Sequence, residues 1–353
     1  MSVSFKAAVV GLGWAGQQHL AAYSRRDDVE IVGLAGLEAD QLSALATQYG
    51  VDHAFADWND LIAWGGFDLL SVAVPTSLHA PIAIAALQSG SHVLCEKPMA
   101  GTVADAQAMV DAAKSSGLVL DVVFNHRSHG ELKAIKRLVA DGGLGNPYHT
   151  RVTWLRRDGI PAGWFRQRAL SGGGVLADLG IHLLDYTLDI LGEPAVRSLS
   201  AAGFSAFSGE RSDARPLEGR GESSDVEDFA SVFLRLAGGG VIELDVSWAA
   251  ARASADEMTI TVHGTEGGAE AALSPAFEAG DVERFTAPTV GGESETIETP
   301  AGRGHDEVVA EFVAAAHGSI GEGRRVGSAA LERTRIIGAC YESMVSGREV
   351  VLA

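Results

Sequence analysis

Cysteine is almost absent from this chain. Cys95 and Cys340 are the whole supply, too few for a disulfide framework and suited to a reducing compartment. Positive charge is also scarce: 27 Lys and Arg against 46 Asp and Glu leave a formal net charge of −19. Such a surface repels nucleic-acid phosphates and anionic lipid headgroups, so neither is an expected partner. No apolar run approaches the roughly 20 residues of a membrane helix. The opening residues, "MSVSFKAAVVGLG", show no cleavable signal pattern and lead straight into a strand. A cytoplasmic location is the expectation. No internal repeat is visible. The 353 residues exceed one ordinary core, which points to two domains.

What the chain does have is glycine in telling places. "FKAAVVGLGWAGQQHLAAYSRR" (5–26) reads as strand, tight turn and helix. The turn, Gly11-Leu12-Gly13-Trp14-Ala15-Gly16, is a G-x-G-x-x-G at a strand-to-helix junction. In that context Gly11 permits the turn, Gly13 lets a pyrophosphate approach the backbone, and Gly16 lets helix and strand pack closely. Elsewhere the pattern marks only a turn; here it predicts dinucleotide binding.

A second strand, "VEIVGLAG" (29–36), should end on the acid that holds the ribose of NAD. Gly36 and Leu37 stand there instead, and Glu38 is the first acid. A missing acid can admit the extra phosphate of NADP, but no arginine lies between residues 36 and 50, and Glu38 and Asp40 would repel a phosphate. Arg25 and Arg26 precede the strand and read as solvated turn charges. NAD(H) is therefore favoured over NADP(H).

The unit then repeats: strand "FDLLSVAVP" (67–75), helix (77–90) stopped by Gly90, strand "SHVLCEKP" (91–98), a helix capped by Thr102, and strand "LVLDVVFN" (118–125). Alternating apolar strands and helices predict a parallel doubly wound sheet. Its ligands lie beyond the carboxyl ends of the strands. That rim carries the glycine turn, Pro75, Thr76, Ser77, His79, the Glu96–Lys97 pair and Asn125.

After residue 126 the pattern changes. One helix, "ELKAIKRLVADGGLG", precedes strand-like runs at 148–157, 228–237, 240–250 and 257–264. In "VIELDVSW", Ile242, Leu244, Val246 and Trp248 alternate with polar or smaller residues, and Gly238–Gly240 closes a hairpin. An α+β domain with a mainly antiparallel sheet is expected, one face covered and the other available to a second subunit. The polar segment 205–226 reads as an insertion or a subunit-contacting arm. The expected domains are 1–125 and 126–353, with a C-terminal helix able to pack back on the first.

The densest chemistry lies in "SGGGVLADLGIHLLDY" (171–186). From Val175 it reads as one helix, with Asp178, His182 and Asp185 at i, i+4 and i+7 on one face. A buried Asp–His network and a metal site are open readings. No cysteine or further histidine nearby in sequence completes a metal site, and none is expected. Acid–base catalysis is the third reading, since histidine suits removal of a hydroxyl proton near neutral pH. Arg156, Arg157, Trp164 and Asp185 are candidate contacts of a sugar; solvated strand charges and a core aromatic are the other open reading. His305 reads as a cap or core partner.

Taken in order, "GLGWAGQQH", "AVPTSLHAP", "CEKP", "GGGVLADLGIHLLD", "VEDFASVFLRLAGGG" and "GHDEVVAEFVAAA" resemble the Gfo/Idh/MocA oxidoreductases. The resemblance spans nearly the whole chain. It implies a Rossmann domain, then a domain with a large open sheet that commonly makes dimers or tetramers. It also implies NAD(H) or NADP(H) and a sugar, inositol or related polyol as substrate. The lysine of the family's EKP falls on Lys97, and its D-x-x-x-H falls on Asp178 and His182. By that resemblance Lys97 bridges cofactor and substrate hydroxyl, and Glu96 holds the nicotinamide region or orients Lys97. The expected activity interconverts a secondary hydroxyl and a ketone by hydride transfer. Two alternatives stay open: epimerisation or elimination with the cofactor recycled, and a non-catalytic nicotinamide sensor.

Overall fold

The computed structural model describes residues 5–207, 224–275, 282–289, 291–318 and 326–352. Most of the 205–226 segment lies outside them. The contacts divide the chain into two compact units. One joins residues 1–125 to His305–Thr334, and the other joins His126–Gly304 to Arg335–Ala353. Residues 305–334, read from the sequence as part of the second domain, thus belong to the first.

In the first unit, strands β1 (Phe5–Val10), β2 (Val29–Ala35), β3 (His53–Phe55), β4 (Leu69–Val72), β5 (His92–Cys95) and β6 (Leu120–Val122) form one sheet. Its order is β3-β2-β1-β4-β5-β6, and every neighbouring pair is parallel. The apolar runs that suggested strands are buried on both faces, as parallel sheets require. Helices α1 (Trp14–Ser24), α2 (Ala39–Tyr49), α3 (Trp58–Trp64), α4 (His79–Ser89) and α5 (Val103–Ser116) connect them. Thr102 caps α5 by accepting the Asp105 N–H. A later helix, α9 (His305–Ala316), packs on α1, and its Val309, Phe312 and Val313 share a core with Val9, Leu20, Tyr23 and Leu34. Strand order reverses between β1 and β4, the point at which doubly wound sheets open a crevice.

The second unit is built on a nine-stranded sheet. Its strands are β7 (Pro147–Arg156), β8 (Val196–Phe204), β9 (Phe229–Leu236), β10 (Val241–Ser247), β11 (Asp256–Gly264), β12 (Gly268–Leu273), β13 (Val282–Pro288), β14 (Ser294–Pro300) and β15 (Val350–Val351). The order is β14-β13-β12-β11-β7-β10-β9-β8-β15. All pairs are antiparallel except β7 with β10, so β7 is inserted between two strands that follow each other in sequence. The alternation read in β10 is real: Ile242, Leu244 and Val246 are buried with Val152, Trp154, Val232, Leu234 and Ile260. Helices α6 (Gly130–Ala140) and α8 (Ile181–Ile190) pack together, and α8 also packs on β7. A short helix, α7 (Arg168–Ser171), precedes α8, and α10 (Ser328–Ser346) contains the division between the units.

Candidate active site

In the first unit the glycine turn follows β1 directly. Gly11 has φ +88°, and a Cβ there would stand 2.1 Å from the Ala73 carbonyl oxygen, just beyond β4. A Cβ on Gly16 would lie 1.9 Å from the Gly11 oxygen, so both are glycine for the protein's own packing. Gly13 differs: a Cβ there meets nothing within 4 Å. It precedes α1 as an N-cap without a side-chain cap bond, leaving backbone N–H groups of the first turn, from Trp14 and Ala15 onward, to a ligand. Trp14 is exposed beside this turn. On the same rim, Thr76 is buried and its hydroxyl finds no hydrogen-bond partner among the described residues. Open approach, uncapped amides and an unmet hydroxyl fit a dinucleotide.

At the end of β2, Gly36 is explained by packing: a Cβ would lie 2.8 Å from Leu12 Cδ1. Leu37 is 85% exposed, and Glu38 stands at the N-cap of α2. Arg26 pairs with Asp28 and Arg25 with Asp306, so neither is a spare phosphate ligand. His79, expected among cofactor contacts, places both ring nitrogens 2.9 Å from backbone carbonyls, those of Pro98 and Val74. Burial holds it below the usual histidine range despite those carbonyls. It ties the loop after β4 to the loop after β5, and that occupies its polar atoms. Asn125 is buried just after β6 and opens a short 3-10 turn.

Glu96 follows β5 and is almost wholly buried. Its Oε1 lies 3.0 Å from His19 Nε2 and 3.4 Å from His305 Nε2, and its Oε2 accepts the Lys97 backbone N–H at 3.2 Å. Burial alone would raise this carboxyl; donation from the two histidines outweighs it and holds Glu96 well below the usual glutamate range. His305, read as a cap or core partner, is therefore a partner of Glu96.

In the second unit the expected continuous helix has a break. Leu176–Gly180 is a π-helical turn, and α8 begins at Ile181. The wider turn has Asp178 at its centre and ends before His182, so the uniform i, i+4, i+7 face is offset, a distortion often found at functional positions. Each of the three polar residues has packing or hydrogen-bond partners of its own. Asp178 Oδ2 accepts from Trp248 Nε1 at 2.9 Å. His182 is buried with its ring edge-to-face on His126, centroids 4.6 Å apart, and near Trp154. Asp185, expected to touch substrate, is 1% exposed and accepts from Arg127 Nε at 2.6 Å and Nη2 at 2.5 Å. Burial would lower the Arg127 guanidinium, but Asp185 and Asp189 raise it beyond its ordinary range. This pair fastens α8 to the 125–128 turn.

Glu227 anchors the start of the π-turn. Its carboxylate accepts from the N–H of Gly174 at 3.1 Å, the N–H of Leu176 at 3.0 Å and Tyr341 Oη at 2.9 Å. Burial pushes its carboxyl up, against those donors and the nearby Arg168. Arg156 bonds Asp256 at 3.2 Å and lies over the Trp154 ring; Arg157 reaches the Ala253 carbonyl; Trp164 stacks on Phe165. Arg156 is thus engaged by its own sheet. Sequence reasoning missed Trp248, Glu227, Arg127 and His126. Glu227 alone carried a signal, as the acid of "VEDF".

Among the described residues no helix is long and apolar enough to cross a membrane. Family models match two stretches. "Oxidoreductase family, NAD-binding Rossmann fold" covers residues 5–124, and "GFO/IDH/MocA C-terminal domain" covers 132–270. A D-glucoside 3-dehydrogenase of Escherichia coli K12 is 34% identical over 76% of this chain and 77% of its own. A levoglucosan dehydrogenase of Pseudarthrobacter phenanthrenivorans is 28% identical over 73% and 71%. Among solved structures, an aldose-aldose oxidoreductase from Caulobacter crescentus complexed with glycerol is 26% identical with TM-score 0.83, covering 99% of this chain and 100% of that one. A levoglucosan dehydrogenase complex with NADH and L-sorbose shares the fold, with TM-score 0.85 at 24% identity over 99% of each chain. With a nucleotide cradle at the switch point and both halves matched in order, the chain belongs to the Gfo/Idh/MocA family of oxidoreductases.

Proposed function

We propose that the protein reversibly oxidises a secondary ring hydroxyl to a ketone on a sugar or related polyol, D-glucosides being the first candidates, with NAD as cofactor. The observation that supports this most is the uncapped start of α1 beside the open flank of Gly13. The D-glucoside relative adds the substrate class. NAD is preferred because Glu38 and Asp40 would repel an added phosphate and no arginine lies between residues 36 and 50. Cofactor contacts fall to the glycine turn with Trp14 and Ala15, and to Leu37, Glu38, Pro75, Thr76, Glu96, Lys97 and Asn125.

When bound, the nicotinamide ring supplies the hydride acceptor. His182 takes the hydroxyl proton as general base. Lys97 Nζ donates to the same oxygen and stabilises the negative charge that develops there; such fixed donors supply a large share of rate enhancement. Asp178, oriented by Trp248, tunes the base and receives a substrate hydroxyl. Trp164 offers a ring face for stacking. One hydrogen leaves carbon as hydride and one leaves oxygen as a proton, which balances alcohol and NAD⁺ against ketone, NADH and H⁺. A homodimer or tetramer through the open face of the second sheet is part of the proposal, checked by mass in solution.

Titration with NADH and NADPH, followed by fluorescence, comes first. D-glucosides, levoglucosan and inositols are then screened with NAD⁺, with product analysis. Tighter NADH binding and a ketone product are expected. A changed sugar without net NADH would favour internal redox recycling, the reading that the aldose-aldose oxidoreductase supports. Failure to bind either cofactor would overturn the proposal.

A further inference from the structure

Glu96 ends a buried chain of polar groups within the first unit. His19 Nε2 contacts Glu96 Oε1 at 3.0 Å, His19 Nδ1 contacts Ser71 Oγ at 2.8 Å, and Ser71 Oγ contacts Tyr23 Oη at 3.0 Å. His19, Ser71 and Tyr23 are wholly buried. Burial outweighs the neighbouring carboxylate and holds His19 below the usual histidine range, so it is neutral and carries one N–H. One arrangement of protons then satisfies every contact. Tyr23 donates to Ser71, Ser71 donates to His19 Nδ1, and His19 Nε2–H donates to Glu96. The reverse arrangement sets the Nε2 lone pair against an ionised carboxylate 3.0 Å away, which is repulsive. The chain therefore has a direction, and it ends on a carboxylate held in one orientation. His305 approaches the same oxygen from α9, with its ring edge-to-face on Trp14 of the glycine turn, centroids 5.5 Å apart. Glu96 Oε2 remains for the Lys97 amide. Four buried polar side chains in line are costly unless fully satisfied, and an apolar core would hold the fold as well.

We propose that Tyr23, Ser71, His19 and His305 are positioning residues: they fix Glu96 as an oriented carboxylate, and Glu96, through the Lys97 backbone, fixes where the Lys97 amine stands. The inference rests on the reading that Lys97 works on the substrate. Two histidines and a carboxylate whose ligand atoms all lie within 4.8 Å also have the composition of a divalent-metal site. A zinc ion would hold each ligand atom at about 2.0–2.2 Å. The 3.0 Å contact between Nε2 and Oε1 is that of a hydrogen bond, and the proton count closes without an ion.

The test uses the full chain with His19→Ala, His19→Gln and Glu96→Gln. Glutamine at position 19 keeps an N–H donor for Glu96 and loses the bond to Ser71. The first readout needs no substrate: the acylation rate of the Lys97 amine by peptide mass spectrometry, alongside thermal melting and NADH affinity. His19→Ala and Glu96→Gln should change that rate by about tenfold, on the scale of one hydrogen bond to a charged group, with His19→Gln returning towards wild type. With a substrate in hand, kcat should fall in the same order while KM changes little. Altered Lys97 labelling in these variants, with a wild type that turns over nothing, would leave the positioning standing and overturn the functional reading. Unchanged labelling and kcat in folded Glu96→Gln, in an active enzyme, would overturn the positioning; this near-isosteric variant carries the test if the alanine variant does not fold. Stoichiometric zinc uptake lost in His19→Ala would overturn it in favour of a metal site.

Discussion

Lys97 is the residue on which the proposed chemistry turns. Removing one fixed donor from a developing oxyanion costs about a hundred- to a thousand-fold in kcat. Lys97→Ala should therefore lose turnover on that scale while NADH affinity, read by fluorescence, falls far less. Trp248 gives a contrasting case. It is fully buried and its indole N–H is donated to Asp178. Trp248→Phe keeps most of the ring and removes the donor, so about 1 kcal/mol of stability should go, measured by denaturant unfolding, and kcat should fall with it. Both differ in what the sequence reveals. Lys97, Asp178 and His182 stand out because polar residues interrupt apolar patterns. Trp248 fits its strand's alternation and looks like core; only folding brings its nitrogen to Asp178. Asp185 misleads in the opposite way, since its partner Arg127 lies 58 residues earlier and spacing along α8 says nothing of it.

At the level of elements, the three glycines of the turn divide into two kinds. Gly16→Ala would drive a methyl into the Gly11 carbonyl and should lower the melting temperature sharply. Gly13→Ala meets open space, so its melting temperature should hold while NADH affinity falls. Equal loss of stability in both would refute the division. The start of the π-turn is held by Glu227. Glu227→Ala strands the N–H groups of Gly174 and Leu176 and the Tyr341 hydroxyl, at about 1–3 kcal/mol for each buried group. A lower melting temperature, with faster hydrogen exchange at 174–180 than elsewhere, is the expected outcome. Strands β1, β2, β4, β5 and β6 and helices α1, α4 and α5 were legible because each repeats one apolar pattern near a glycine or a cap; β3, α2 and α3 were unread. The π-turn was not legible, since one extra residue per turn leaves no mark on composition. Strands β8 and β12 to β15 were also unread; β12, for instance, is "GAEAAL", with small residues where strand formers are expected.

For the whole molecule, acid should be the weak side. Histidines 19 and 79 are held neutral by burial, below the ordinary histidine value of 6.5. An unfolded chain takes up those protons below that pH and the folded one does not, so stability is lost as pH falls, by up to about 1.4 kcal/mol per unit for each histidine. Glu96, depressed in the fold, adds to the loss below about its ordinary 4.5. Glu227 has the opposite sign, because its raised carboxyl takes a proton more readily folded than unfolded. Unfolding free energy measured between pH 7 and 5 should decline, and His19→Gln should flatten the slope. An unchanged slope would mean that His19 is charged in the fold.

The first unit is discontinuous, and this bears on how it comes to exist. Val309, Phe312 and Val313 reach its core from a helix that the ribosome delivers only after all the strands β7 to β14. A nascent chain of some 125 residues thus has its nucleotide cradle written but lacks the wedge that seals α1, and apolar surface stays bare until residue 316 has emerged. The domain begun first is finished late. Expressed alone, residues 1–125 should be poorly soluble or partly unfolded, and a separately supplied 305–334 peptide should bind them.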